Sequence, residues 1–325
     1  MDRARRRSGF LIAAAVMALA ADRAPPPLHA MRWIAPGADA ARILTHRPAE
    51  CLALPKDGEA AWRVEVGRAA FRTPLLLGGQ AARAGVECET CHRNGRTNPD
   101  FDLLGLSGAP GTADVTSFLF STHRGDHVDD PKPIPDLGGP KSLLKVSQAP
   151  GSPALALFIH GLVTEEFEGA PPPPAVLAGL AAYVRAMDPA ACPAGRLEAV
   201  RVGDAIEDSR RAVRAAIGAL DRKDAPTAIL MVHAARSTLG DIAERYADAA
   251  LARDVAGVKG ADLDLAAALA DIRAGASGTE ALAAWLAESE RWAAPLRADE
   301  RRSLYDEGVL RAALRADGRE ATPTP

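Results

Sequence analysis

The stretch Val86-Glu87-Cys88-Glu89-Thr90-Cys91-His92, "VECETCH", constrains this chain more than any other feature. Cys-x-x-Cys-His is the spacing at which two thiols add to the vinyl groups of one haem while the adjacent histidine reaches the iron. Two rival readings of such a pair fail on context. A thioredoxin-like redox pair wants a βαβ setting, and none is visible. A zinc site wants a second ligand pair at short spacing, which the sequence lacks. A haem also changes what the surrounding chain must do. From Asn94 to Pro153 nearly half of the residues are Gly, Pro, Asp and Ser, a long run without regular structure that argues against an ordinary compact domain. Loops of this kind can wrap a haem, whose rings supply the apolar surface they lack.

The N-terminus reads as an export signal. Arg3, Arg5, Arg6 and Arg7 precede a short apolar run from Phe10 to Ala21, and small residues at Ala18 and Ala20 suit cleavage. A second cleavage pattern lies at Leu28-His29-Ala30, so residues 1–30 are expected to be a signal peptide. The apolar run is too short to span a bilayer comfortably, which favours a cleaved signal over the alternative of an uncleaved anchor. Removing residues 1–30 takes away five Arg and two Asp and moves the net charge from −3 to −6. That balance offers no basic field for nucleic acid. The expectation is a periplasmic protein whose mature form does not span the membrane.

Cys51 and Cys192 are the two remaining cysteines. In an oxidising compartment two spare cysteines pair, so a Cys51–Cys192 disulfide closing a loop of about 140 residues is expected. The alternative is two unrelated buried thiols.

Hydrophobic periodicity divides the 325 residues. Residues 31–58 carry Pro36, Pro48, Pro55 and Gly58 and are expected to be irregular. A haem domain is expected over 59–192. Its first helix runs from Glu59 to Phe71, a short one from Ala154 to Val163, and its last from Ala175 to Met187, with Pro189 as the stop. Gly67 and Phe71 on the first helix, against Tyr183 on the last, fit a close crossing of the two. Residues 197–317 have few prolines and strong helical repeats, such as Val202, Ile206, Ser209, Val213, Ile217 and Leu220. Asp224 caps the second helix of this region, with Pro226 in its first turn. Further helices are expected near 262–273, 279–294 and 299–315, and residues 318–325 as a loose tail. The fold class is therefore mainly α: a c-type cytochrome domain with long loops around a haem, then an antiparallel helical bundle. Trp285 and Trp292, one heptad apart, are assigned to the bundle core.

One covalent haem c is the expected cofactor, held by Cys88 and Cys91, with His92 as proximal iron ligand. The distal position is open to more than one residue. His160, in the apolar "LALFIHGLV", is the favoured distal ligand, and it also fits a satisfied buried histidine. His123, after "SFLFST", is the alternative. Met187 lies at the end of a helix rather than in a loop, His127 sits among aspartates and reads as solvated, and a five-coordinate iron remains open. Met231 and His233 belong to the bundle and are assigned no part in the haem site.

The segment "VGRAAFRTPLLLGGQAARAGVECETCHRNGRTNPDF" followed by "GTADVTSFLFS", and later "GLAAYVRAMDP", is similar to the haem-attachment domain of bacterial di-haem cytochrome c peroxidases and their relatives that mature methylamine dehydrogenase. The resemblance covers roughly 130 residues and implies a cytochrome fold around Cys88, Cys91 and His92. The family carries two haems. This chain has one attachment motif, since neither Cys51 nor Cys192 is followed by x-x-Cys-His. The leading expectation is thus single-electron transfer with a periplasmic redox partner protein. A peroxidase-like oxidoreductase acting on peroxide and a haem-based sensor or scaffold are the alternatives.

Overall fold

The structure is a computed structural model, and it describes residues 28–317 except 123, 126 and 193–195. His123, the tail 318–325 and all but three residues of the expected signal peptide lie outside the described residues.

The segments with helical spacing fold as helices where a cap can start them. Helix α1 (Ala40–Thr45) begins under the Asp39 side chain, which accepts from the Arg42 N–H. Helix α2 (Gly58–Phe71) begins under Asp57, which accepts from Ala60 N at 2.8 Å. Three short helices follow: α3 (Pro74–Leu77), α4 (Gly79–Ala84) and α5 (Cys88–Cys91). Among its described residues the polar stretch after them holds two short strand pairs and a 3-10 turn, Lys141–Leu143. Strand β2 (His92–Arg93) pairs with β3 (Arg96–Thr97), and β4 (Thr112–Ala113) with β5 (Lys132–Pro133). Regular structure resumes with α6 (Ala154–Gly161), a π-helical turn Leu162–Glu166, and α7 (Pro174–Ala186).

The expected crossing of the first and last of these long helices is present. A Cβ added at Gly67 on α2 would overlap the Gly179 carbonyl of α7, so the two backbones touch at a pair of glycines. One turn further on, the Phe71 and Tyr183 rings meet edge to face, 5.2 Å between centroids.

The C-terminal helices are α8 (Val202–Asp221), α9 (Ala225–Arg245), α10 (Ala252–Arg273), α11 (Thr279–Glu288), α12 (Glu290–Asp299) and α13 (Glu307–Ala316). Asp224 caps α9 by accepting from Thr227 N at 3.1 Å, as the sequence indicates. Helix α10 starts ten residues earlier than expected, because Asp248 caps a 3-10 turn that leads directly into it. The segment expected as one helix over 279–294 is broken at Ser289, and the one expected over 299–315 begins only at Glu307. Ser289 lies buried, with its hydroxyl donating back to Leu286 O. Trp285 and Trp292 are buried, their rings 5.5 Å apart.

Two expectations about organisation are corrected. Residues 31–58 are not simply irregular: besides α1 they include β1 (His46–Pro48), which pairs antiparallel with β6 (Leu197–Ala199). Nor do 59–192 and 197–317 have separate cores. A single apolar cluster runs from Trp33 and Phe71 through Tyr183 to Leu239, Trp285 and Tyr305. Helix α2 packs against α8 as well as α7, and the Trp62 Nε1–H donates to Ala215 O at 3.1 Å. A smaller cluster joins Leu28, Ala41 and Leu44 to Leu304, Leu310 and Leu314, so the expected signal boundary at residue 30 falls inside folded chain. Cys51 and Cys192 form the expected disulfide, with 5.5 Å between their Cα atoms. Among the described residues no helix is long and apolar enough to cross a membrane.

Candidate functional site

Glu87, extended and half-buried, starts the single turn that carries the motif, and the Thr90 hydroxyl accepts from its backbone N–H at 3.1 Å. Cys88 and Cys91, three apart on that turn, share one face, pack against the main core and remain separate thiols. Burial pushes both thiols up to about 12. Neither is an activated thiolate, which the redox-pair reading would need.

His92 leaves the helix and opens the β2–β3 hairpin. Its Nδ1 lies 3.0 Å from the Pro135 carbonyl oxygen. A carbonyl only accepts, so Nδ1 carries the proton and Nε2 is left with the lone pair a metal requires. Burial lowers the imidazole pKa to about 4, which keeps the ring neutral near pH 7. The Phe71 ring stands 6.3 Å from it.

Pro135 is held by a lattice of bonds between its own segment and the hairpin. Thr97 Oγ1 donates to Ile134 O at 3.0 Å, and Leu137 N to Gly95 O at 2.9 Å. Arg96 Nε donates to Asp136 Oδ2 at 3.0 Å. The proline-dense "PKPIPD" therefore serves as a brace for the histidine. Sequence reasoning missed this role, since pairing across forty residues of loop leaves no periodic signal.

A second group missed by the sequence lies under the hairpin. Glu50 accepts from Tyr183 Oη at 2.6 Å and from Arg72 Nη2 at 2.9 Å, and it also pairs with Arg68. Burial alone would raise the Glu50 pKa, but the Arg72 and Arg68 charges hold it far below the usual carboxylate range. Arg72 Nη2 continues to Asn94 Oδ1 at 2.8 Å, and Asn94 N donates to Glu89 Oε1 at 2.8 Å. Asn94 adopts φ +49°, a left-handed conformation that asparagine tolerates, and so closes the turn after His92. The helix crossing and the motif are thereby wired together.

The distal candidates stand as follows. His160 lies half-buried near the end of α6, just before the π-helical turn. Its carbonyl accepts from Thr164 Oγ1, and its ring has no hydrogen-bond partner among the described residues. Met187 is buried with its thioether packed on Gly95, in the hairpin that His92 opens. His127 stays exposed, its ring 6.0 Å from that of Phe118. In the bundle, Met231 is fully buried and His233 Nε2 lies 2.8 Å from Arg273 Nη2, so both have structural roles.

The residues fit a covalent haem on two observations. The thiols share a face beside an imidazole whose tautomer is fixed for metal binding. Six of the ten large hydrophobic residues exposed in the structure also fall in the loops and helix between Leu104 and Leu157, Leu104 at 95% and Leu143 at 78%. The segment that the sequence assigns to wrapping a haem thus carries exposed apolar side chains. Among the described residues no three His, Cys, Asp or Glu side chains come together as a metal cluster of their own. Set against known protein families, curated proteins and solved structures, the chain finds no match.

Proposed function

We propose that the protein is an exported mono-haem c-type cytochrome that passes single electrons to or from a periplasmic redox partner. The observation that carries this reading is the fixed tautomer of His92, braced by Pro135 directly beside the Cys88 and Cys91 thiols. A haem bound there supplies an iron that cycles between the ferrous and ferric states. The chain's part is to hold and orient the group. Cys88 and Cys91 tether it, and His92 offers Nε2. The Pro135 carbonyl raises the basicity of that nitrogen and stops the ring from turning. The Glu50–Arg72–Asn94 chain keeps the hairpin still, which matters because electron transfer rewards a site that does not rearrange.

His160 is the proposed distal ligand and His123 the alternative. Its ring, free of hydrogen-bonded partners among the described residues and set in an apolar helix, is available for ligation. The disulfide is compatible with the periplasmic destination. The C-terminal helices, read as an antiparallel bundle, would carry the surface for a partner or a second copy.

The test is a spectrum of the protein purified from a host that attaches haem c. The haem should stay with the chain through acid and organic extraction, and Cys88→Ala/Cys91→Ala should abolish that. A low-spin ferric spectrum that ignores cyanide and peroxide supports electron transfer. A high-spin iron that reacts with peroxide would instead establish the peroxidase-like reading. His160→Ala should convert low-spin iron to high-spin, and an unchanged spectrum moves the assignment to His123.

A further inference from the structure

A cavity of about 240 Å³ lies behind the motif turn, between it and the C-terminal helices. Five arginines line it; besides Arg72 and Arg201 they are Arg47 after α1, Arg93 after His92, and Arg245 at the end of α9, and these last three stand close together. Each is close enough to feel the others. The charges of Arg47 and Arg245 both act against that of Arg93, and Arg47 acts against Arg245.

Their positions are fixed, but two of them make no ion pair among the described residues, and carboxylates act on them only at longer range. Arg93 Nη2 donates to the Ile43 and His46 carbonyls, both at 2.6 Å. Arg245 donates to Leu304 O at 3.0 Å and Leu44 O at 2.9 Å. Neither has a carboxylate within ion-pair distance among the described residues, whereas Arg72, on the same wall, pairs with Glu50. Arg47 reaches Asp204 only at 3.4 Å, and its Nε is buried without a partner. Grouped guanidinium ions away from bulk water are costly unless an anion meets them.

The carboxyl groups on the wall are Glu87, Glu89, Asp208, Asp241 and Glu244; Glu89 pairs with Arg72 at 3.6 Å and accepts from Asn94 N, and Asp208 pairs with Arg68 and Arg211. Glu244 is taken by His29, whose Nδ1 lies 2.7 Å from Oε2. Asp241 faces the cavity without a hydrogen bond, and burial raises its pKa to about 6. Burial and the Asp241 charge also push Glu87 well above the usual range. Glu87 therefore favours the neutral form, and Asp241 does so below about pH 6, a form that tolerates, and can donate to, an incoming anion. The rest of the wall mixes polar groups, Thr90, Asn98 and Thr238, with apolar ones that include Trp33 and Ile43.

We propose that this cavity binds a small organic monocarboxylate, with its charged end at Arg93 and Arg245 and its apolar part against Trp33 and Ile43. Guanidinium forks match a carboxylate, and a short alkyl tail gains from the apolar wall. A phosphate dianion would gain nothing from that wall. The inference is independent of the haem reading, because none of these contacts uses the thiols or His92.

Binding is coupled to protons. Asp241 is faced by His29 from the N-terminal segment, Glu87 from the motif turn, Tyr305 from the chain before α13, and Glu244 and Arg245 from its own helix. Below pH 6 a neutral Asp241 does not oppose the ligand, and above it the ionised carboxylate does. Affinity should therefore fall as the pH rises through that value.

The experiment titrates the purified full chain with butyrate and, separately, with inorganic phosphate, reading the thermal midpoint on both sides of pH 6. Butyrate should raise the midpoint in a saturable way, more so on the acid side, and phosphate should not. Asp241→Asn should bind butyrate more tightly at neutral pH and lose the pH dependence. Arg93→Gln should weaken butyrate about tenfold, the cost of one lost charged contact. If Arg93→Gln fails to fold, the wild-type titration and Asp241→Asn still decide. No saturable response to butyrate, an equal or stronger response to phosphate, or an unaltered pH dependence in Asp241→Asn would each overturn the proposal.

Discussion

Glu50 shows how much one carboxylate can organise. It joins the last turn of α2, through Arg68 and Arg72, to the phenol of Tyr183 on α7, and Arg72 passes the connection to the turn after His92. Its side chain is 13% exposed and Arg72's is 12%, so the pair is shielded from salt and water. Removing one partner of such a pair strands the other, so Glu50→Gln should cost about 3–5 kcal/mol in urea unfolding at neutral pH. The sign with pH follows from the depressed folded pKa. The stabilisation is complete above the unfolded value of 4.5 and is lost as the pH falls below it toward the folded value. Wild type and Glu50→Gln should therefore converge in acid. No motif announces this residue: "HRPAECL" reads as a loop, and its partners lie 18, 22 and 133 positions away.

At the scale of elements the sequence was most legible where a helix has one buried face and a cap. Helices α2, α7, α8 and α9 lie within a few residues of their expected bounds, because Asp57, Pro174, Asp224 and Pro189 punctuate them locally. The crossing of α2 and α7 was also legible, through Gly67. What sequence did not show is that a second glycine, Gly179, meets it, so that neither helix can carry a side chain at the contact. Gly67→Ala must push the two backbones apart, and a destabilisation of about 3 kcal/mol, the upper end for overpacking, is expected in denaturant unfolding. The Tyr183 hydroxyl would then lose its reach to Glu50, and in a haem-loaded sample the spectrum should broaden as His92 loosens. The boundaries near 262, 289 and 307 were misplaced for a common reason. Small residues such as Ala and Gly fill these helices, and alanine marks neither face nor end.

For the molecule as a whole, two ties close the chain on itself. The disulfide spans 141 residues, and beside it the Asp188 N–H donates to Cys51 O. The Cys51→Ser/Cys192→Ser variant should lose about 4–5 kcal/mol on the chain-entropy account, read as a lower denaturant midpoint against the oxidised wild type. The second tie is at the N-terminal end of the described chain. Leu28 is 2% exposed within the cluster against α13, and His29 donates its backbone N–H to Glu244 at 2.6 Å. A chain beginning at residue 31 should therefore melt lower than one beginning at residue 21. The His29 pKa is raised, chiefly by its bond to Glu244. The gap between the two chains should be full below pH 6.5, the unfolded value, and narrow as the pH rises through the folded one. Because the core is continuous, removing 197–325 would also expose Trp62 and much of α2, and the remainder should not retain a native melting transition.

By itself the sequence determined the features written in short spacing. These are the Cys88–Cys91–His92 spacing, the capped helices, the glycine-permitted crossing and, from the cysteine count, the Cys51–Cys192 bridge. Such features are local, or follow from the scarcity of other partners, so residue order suffices to read them. Tertiary structure alone decided that Pro135 orients His92, that Glu50 anchors the hairpin, and that five arginines from separate parts of the chain surround one cavity. It also merged the two expected domains into one core. Those outcomes depend on which buried charges and carbonyls find each other across separations such as 43 and 201 residues. That choice is made by desolvation and packing, which leave no period in the sequence.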